Sequence, residues 1–65
     1  MKNKVKEHRI RRKMTQEDLA KEIGVSRQTI NAIEKEKFDP SLTTAFKMAL
    51  LFEITLEQLF QFEAS

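Results

Sequence analysis

Residues 15–37, TQEDLAKEIGVSRQTINAIEKEK, decide the fold, because they carry the signals for two short helices joined by a tight turn. Thr15 and Ser26 are each suited to begin a helix, since a hydroxyl oxygen can accept a hydrogen bond from an amide of the first turn. Gly24 lies between them and permits the left-handed backbone that ends a helix. The stretch therefore predicts a helix-turn-helix arrangement.

Both predicted helices have one apolar face. We expect the first helix to bury Leu19, Ala20 and Ile23, and the second to bury Ile30 and Ile33, with Val25 filling the core between them. Four polar residues are left on the outer face of the second helix: Arg27, Gln28, Thr29 and Asn31.

The same stretch resembles the motif of the Cro/CI-type (XRE) family of small bacterial and phage repressors. Residues at fixed spacing carry the likeness: Thr15-Gln16, Leu19-Ala20, Gly24-Val25-Ser26, Ile30, Ile33-Glu34 and Pro40-Ser41. The resemblance extends over roughly the whole chain and implies an all-α, five-helix bundle of the lambda-repressor-like DNA-binding type, with the helix-turn-helix at about residues 16–36. This family often has glycine where Lys13 and Glu36 stand, so a left-handed backbone there would be strained by about 1 kcal/mol.

The composition is that of one small domain, residues 1–65, in which only about 60% of the unfolded surface is buried. The absence of cysteine and the single histidine exclude a disulfide and argue against a zinc site. There is no signal peptide and no apolar run of about 20 residues, so we expect no membrane association and a cytoplasmic protein of bacterial or phage type. No catalytic constellation is visible, which favours a binding protein without cofactor or metal over an enzyme.

Positive charge is concentrated at the N-terminus. Residues 1–13 carry a net charge of +6, residues 14–37 of −1 and residues 38–65 of −3, although the whole chain carries only +2. A basic segment beside the motif indicates a side that faces phosphates. The alternative is a solvated helix face with a flexible basic tail.

Three further helices are predicted around the motif. The first should run from Val5 to Lys13, the fourth from Leu42 to about Glu53 after the cap Ser41, and the fifth from Leu56 to Leu59 or Phe60 after the cap Thr55. We expect the fourth to form the back wall of the core through Leu42, Ala45, Phe46, Ala49, Leu50 and Phe52. Residues 60–63 alternate between apolar and polar, which is a strand signal, and residues 2–4 are the candidate partner for a short two-stranded β element.

The helix-turn-helix predicts sequence-specific binding of double-stranded DNA, with the second helix of the motif in the major groove. The candidate base contacts are Arg27, Gln28, Thr29 and Asn31. The candidate phosphate contacts are Gln16, Ser26, Lys35 and Lys37, and the two lysines could instead be an ordinary cationic helix end. Arg12 and Lys13 are weaker phosphate candidates.

The resemblance also implies an ion pair between Arg9 and Glu34 that clamps the first helix to the third. The alternative is that both side chains are exposed and contribute little. His8 occupies a position that is usually aliphatic in this family. We therefore interpret it as a packing residue, and a pH switch is the less favoured alternative.

The C-terminal region, about residues 50–63, is predicted to form a homodimer interface through Leu51, Phe52, Ile54, Phe60 and Phe62. The alternative is that the two last rings fold back onto their own subunit. A symmetric dimer would bind an inverted-repeat operator, and a repressor is favoured over an activator. Two other interpretations stay open: an antitoxin-like or accessory subunit that also binds a protein partner, and a purely structural interaction domain.

Overall fold

The computed structural model of the chain describes residues 1–62. Its elements are, in order, β1 (Lys2–Asn3), α1 (Val5–Arg11), α2 (Gln16–Ile23), α3 (Arg27–Glu34), α4 (Leu42–Phe52), α5 (Leu56–Leu59) and β2 (Phe60–Gln61). The described part of the chain is thus a mostly helical fold with five helices and one small sheet, as the sequence predicts. Strands β1 and β2 pair antiparallel, with Asn3 opposite Phe60. Residue 63, the end of the predicted alternation and of the predicted interface region, lies outside the described residues.

Helices α2 to α5 each begin at a hydroxyl side chain, as predicted. Each hydroxyl oxygen accepts a hydrogen bond from the amide three residues further on, at Thr15 (3.0 Å), Ser26 (3.1 Å), Ser41 (3.2 Å) and Thr55 (3.1 Å). At the start of α2 the bond is reciprocated, because the Thr15 amide donates to the Asp18 carboxylate over 2.9 Å. These hydrogen bonds with Thr15, chiefly the one to its backbone amide, lower the pKa of Asp18.

Left-handed residues end several of these helices. Gly24 has a φ of 85°, and the non-glycine residues Lys13, Glu36 and Glu53 have φ values of 57°, 62° and 57°. Helix α1 stops at Arg11, two residues before its predicted end at Lys13, and α4 stops at Phe52, within one residue of its predicted end near Glu53, because Lys13 and Glu53 have a left-handed backbone. A left-handed residue cannot continue a helix of L-amino acids.

The core lies between the helix-turn-helix and the remaining helices. The largest fully buried side chains come from α1 to α5: Val5, Leu19, Ile30, Ile33, Met48 and Leu59. Val25 is partly buried in the turn and packs against this core, in the predicted position. The motif is thus held by a closed apolar interior built from every helix, which fixes α2 and α3 relative to each other.

The predicted apolar face of α4 needs correction. The helix buries Ala45, Met48, Ala49 and Phe52, spaced i, i+3, i+4 and i+7 along one face. In contrast, Leu42, Phe46 and Leu50 are 66%, 49% and 78% exposed and form a second apolar stripe along the same helix. Because α4 is apolar over more than half of its circumference, only one of its two stripes can face the core.

No helix within residues 1–62 is both long enough and apolar enough to span a membrane.

Candidate nucleic-acid interface

Helix α3 presents polar side chains at its N-terminal end and buries its apolar ones. Ile30 and Ile33 have no exposed surface, whereas Arg27 and Gln28 are exposed. Thr29 is half-buried, and its hydroxyl group lies 2.9 Å from the Ser26 hydroxyl group in a hydrogen bond. The end of α3 that would enter a groove therefore carries a guanidinium and a carboxamide group that face solvent.

The opposite end of α3 is joined to α1 by Arg9 and Glu34. Nε of Arg9 donates to Oε2 of Glu34 over 2.7 Å, and Nη2 donates to Oε1 over 3.3 Å. Nη1 of Arg9 donates to the carbonyl oxygen of Met14 over 2.8 Å. The side chains are only 11% and 4% exposed, so both charges are shielded from water and satisfied by each other. A bidentate pair in this setting restricts the angle between the two helices.

Gln16 connects this ion pair to a predicted base contact. Its Nε2 donates to Oε1 of Glu34 over 3.1 Å, and its Oε1 lies 3.5 Å from Nδ2 of Asn31. The second distance is at the upper limit for a hydrogen bond and implies a weak contact. The structure thus brings together Arg9, Glu34, Gln16 and Asn31 in one continuous set of polar contacts. Both polar atoms of the Gln16 carboxamide group therefore have partners within the protein.

The four predicted phosphate contacts flank α3. Ser26 stands before α3, Lys35 and Lys37 follow it and are exposed, and the half-buried Gln16 begins α2. A cleft of about 200 Å³ lies among these elements and is lined by Lys6, Arg9, Gln16, Asn31, Glu34 and Lys35. Lys6 was not singled out from the sequence. Its spacing of three residues from Arg9, which places both on one face of α1, was the available signal.

The residues predicted for a dimer interface fall into two groups. Phe52 and Phe60 are 4% and 8% exposed in the core of their own subunit, and Leu51 and Ile54 are partly buried against it. Phe62 is 78% exposed. Phe52 and Phe60 thus have little surface left for a second copy, because both are part of the core of their own subunit. On α4, the exposed apolar residues are instead Leu42, Phe46 and Leu50.

His8 and Arg12 both contact the ring of Phe52. The rings of His8 and Phe52 stack with centroids 5.6 Å apart and planes inclined by 28°. The guanidinium carbon of Arg12 lies 6.0 Å from the Phe52 centroid, and Nη2 of Arg12 lies 3.0 Å from Oε2 of Glu53. His8 therefore lies in a packing contact, and Arg12 is turned toward the end of α4.

Comparison with known proteins identifies the family. A helix-turn-helix family model matches residues 5–59. The HTH-type transcriptional regulator MJ0272 of Methanocaldococcus jannaschii is 59% identical over 63 residues, which cover 97% of this chain and 96% of that protein. The HTH-type transcriptional regulator YgzD of Bacillus subtilis is 48% identical over the same length, with coverage of 97% and 96%.

A solved structure shares the fold. The restriction-modification controller protein C.AhdI from Aeromonas hydrophila is 28% identical and superposes with a TM-score of 0.78, covering 88% of this chain and 86% of that one. The chain therefore belongs to the family of DNA-binding helix-turn-helix transcriptional regulators of the Cro/CI (XRE) type, with the lambda-repressor-like fold.

Proposed function

We propose that this protein regulates transcription by binding a specific sequence in double-stranded DNA, with α3 in the major groove. The observation that carries this proposal is the asymmetry of α3: Arg27 and Gln28 are exposed at its N-terminal end, while Glu34 at the other end is clamped by Arg9. A recognition helix needs both properties, since its contacts specify bases only if its direction is fixed. The protein acts as a binding protein and not as an enzyme.

Each side chain proposed to contact a base suits a particular base. Arg27 donates two hydrogen bonds to a guanine, and Gln28 and Asn31 pair with adenines through their carboxamide groups. Thr29 contacts a thymine methyl group, because its hydroxyl is already bonded to Ser26. These contacts give the sequence preference.

Phosphate contacts fix the register on the duplex without reading sequence. Ser26, Lys35 and Lys37 supply them around α3, and Gln16 supplies them at the start of α2, where backbone amides are available. We add Lys6, which lines the same cleft as Gln16 and Lys35. The concentration of positive charge in residues 1–13 supports this assignment.

The protein works as a homodimer in the cytoplasm and represses transcription by occupying an inverted repeat. The exposed stripe of Leu42, Phe46 and Leu50, together with Phe62, is the surface that supports self-association, since a chain this small gains by burying it. In a symmetric dimer the two copies of α3 would lie about 34 Å apart, one turn of duplex.

One observation favours a second candidate function. Part of the exposed stripe, Leu42 and Phe46, lies outside the region 50–63 that the sequence assigns to the dimer. An antitoxin-like or accessory subunit would use such a patch to bind a different protein. A monomeric mass for the purified protein combined with specific DNA binding would favour this candidate over the homodimer.

The test is selection of bound duplexes from a randomised DNA pool at near-physiological salt. We expect an inverted repeat whose half-sites are about one helical turn apart. Arg27→Ala should then weaken binding to the selected site by about 1–3 kcal/mol and relax the preference at one base pair. Lys47→Ala removes the same charge from α4 and serves as the matched control. If a folded protein enriches no sequence, specific readout by this chain is wrong.

A further inference from the structure

The two ends of the described chain are joined to each other. Asn3 of β1 pairs with Phe60 of β2, and the Lys4 amide donates to the Leu59 carbonyl oxygen over 2.9 Å. The segment before α1 is therefore attached to the segment after α5 by backbone contacts, and its position depends on both ends of the chain.

The side chain of Asn3 links this strand pair to α3. Its Nδ2 donates to the Ile33 carbonyl oxygen over 2.8 Å and to the Met1 carbonyl oxygen over 3.3 Å, and its Oδ1 accepts from the Val5 amide over 3.1 Å. The Ile33 carbonyl belongs to the last turn of α3 and also accepts from the Glu36 amide over 3.0 Å, so Asn3 is a second donor to it. One asparagine thus contacts the start of α1 and the end of α3 together.

The contact at Ile33 adjoins the ion pair at Glu34. Two consecutive residues at the end of α3 therefore contact two different elements: Ile33 bonds to Asn3 of β1, and Glu34 bonds to Arg9 of α1. The N-terminal part of α3 is held by the Ser26 cap and by the burial of Ile30 in the core. The direction of Arg27 therefore depends on the contacts at both ends of the helix, and Asn3 and Arg9 supply those at the far end.

We propose that Asn3 is a positioning residue for DNA recognition, which sets the direction of α3 by holding the Ile33 carbonyl group. This inference rests on the proposed function. Arg27 lies about 9 Å from Ile33 along the helix axis, so a tilt of about 10° would move it by roughly 1.5 Å. A bidentate contact with a base tolerates about 0.5 Å. Loss of the Asn3 contact should therefore weaken specific binding while phosphate-driven, non-specific binding persists.

The variant Asn3→Asp distinguishes a role in positioning α3 from a role limited to the start of α1. Aspartate keeps the oxygen that accepts from the Val5 amide, but it cannot donate to Ile33. If Asn3 only supports the start of α1, then Asn3→Asp should keep the wild-type ratio of specific to non-specific affinity for DNA. If Asn3 positions α3, both Asn3→Asp and Asn3→Ala should lose about tenfold in the ratio of specific to non-specific affinity. The negative charge that Asn3→Asp adds weakens specific and non-specific binding alike, so its effect cancels in the ratio of the two affinities.

Thr55→Ala is the matched control, because it removes the cap of α5, which does not contact α3 through that bond. Full-length variants are compared at a temperature where circular dichroism shows all of them folded. We also expect faster amide exchange at residues 35–37 in the two Asn3 variants and not in Thr55→Ala.

The outcomes separate the two proposals. If the wild type selects a sequence and Asn3→Asp keeps the wild-type ratio and exchange rates, the positioning role is wrong and the proposed function stands. If the wild type selects no sequence, both proposals are overturned. A tenfold loss of the ratio in Asn3→Asp and Asn3→Ala, absent in Thr55→Ala, supports the positioning role.

Discussion

Arg9 and Glu34 form a shielded bidentate ion pair between α1 and α3, and removing the arginine alone should strongly destabilise the protein. The exposed fractions of the two side chains are 11% and 4%, so Arg9→Met leaves the Glu34 carboxylate without its cation in a site that water reaches poorly. Breaking such a pair typically costs about 3–5 kcal/mol. Because small domains have little stability to lose, we expect Arg9→Met to lower the unfolding midpoint in urea sharply, even without DNA.

The matched control for this prediction is Arg12→Met. Arg12 also pairs with a glutamate, Glu53, over 3.0 Å, but the two side chains are 38% and 82% exposed. An exposed pair contributes at most about 1 kcal/mol. If Arg9→Met and Arg12→Met unfold at the same urea concentration, the shielded pair has no special structural role. The double variant Arg9→Met with Glu34→Leu should recover part of the loss, since it removes the unpaired charge.

The left-handed backbone at Glu36 should make glycine favourable there. Its φ of 62° is strained for a residue with a Cβ atom, whereas its neighbour Lys35 has a right-handed φ of −84°. We expect Glu36→Gly to raise the free energy of unfolding by up to about 1 kcal/mol and Lys35→Gly to lower it. Thermal unfolding of the two variants checks this directly. A loss of stability in both would mean that the entropy of the unfolded chain outweighs the strain.

Local signals made much of the fold predictable. The caps at Thr15, Ser26, Ser41 and Thr55 were assigned from the sequence, because each cap bonds to an amide only three residues away. The strain expected where the family has glycine is also local, since φ depends on neighbouring backbone. Contacts of this kind need no knowledge of how the helices pack.

Non-local packing explains what the sequence did not reveal. On α4, periodicity allows either apolar stripe to face the core, and the choice of Met48 over Leu50 depends on helices far away in the chain. The burial of Phe60 depends likewise on its pairing with β1. At the candidate site, the bond from Asn3 to Ile33 joins residues 30 positions apart and has no periodic signature.

The capping box at Thr15 should make stability depend on pH. Its hydrogen bonds lower the pKa of Asp18 in the folded protein. A folded-state pKa below the unfolded value gives stabilisation that is present above the unfolded pKa and lost as the pH falls through the folded one. The melting temperature of Asp18→Asn should therefore lie below that of the wild type near neutral pH. We expect this difference to shrink as the pH falls through the ordinary range of an aspartate and below it, since the folded-state pKa is the lower one.

The second capping box provides the control for this pH dependence. Gln58 bonds to the Thr55 amide over 2.9 Å in the same geometry, but with an uncharged side chain. Gln58→Ala should lower the melting temperature by an amount that does not vary over the same pH range. A constant difference for Asp18→Asn as well would show that its carboxylate charge is not what stabilises the cap.

The exposed stripe on α4 should determine the oligomeric state. Leu50 lies at one end of this stripe and is 78% exposed, so Leu50→Glu should leave the monomer folded. In a symmetric dimer formed through the stripe, the same substitution would place like charges close to each other. Ile10→Glu is the control, because Ile10 is 55% exposed on α1, away from the stripe. Sedimentation at micromolar concentration should give a dimer for the wild type and Ile10→Glu and a monomer for Leu50→Glu. A wild-type monomer would overturn the homodimer and direct attention to a protein partner for Leu42, Phe46 and Leu50.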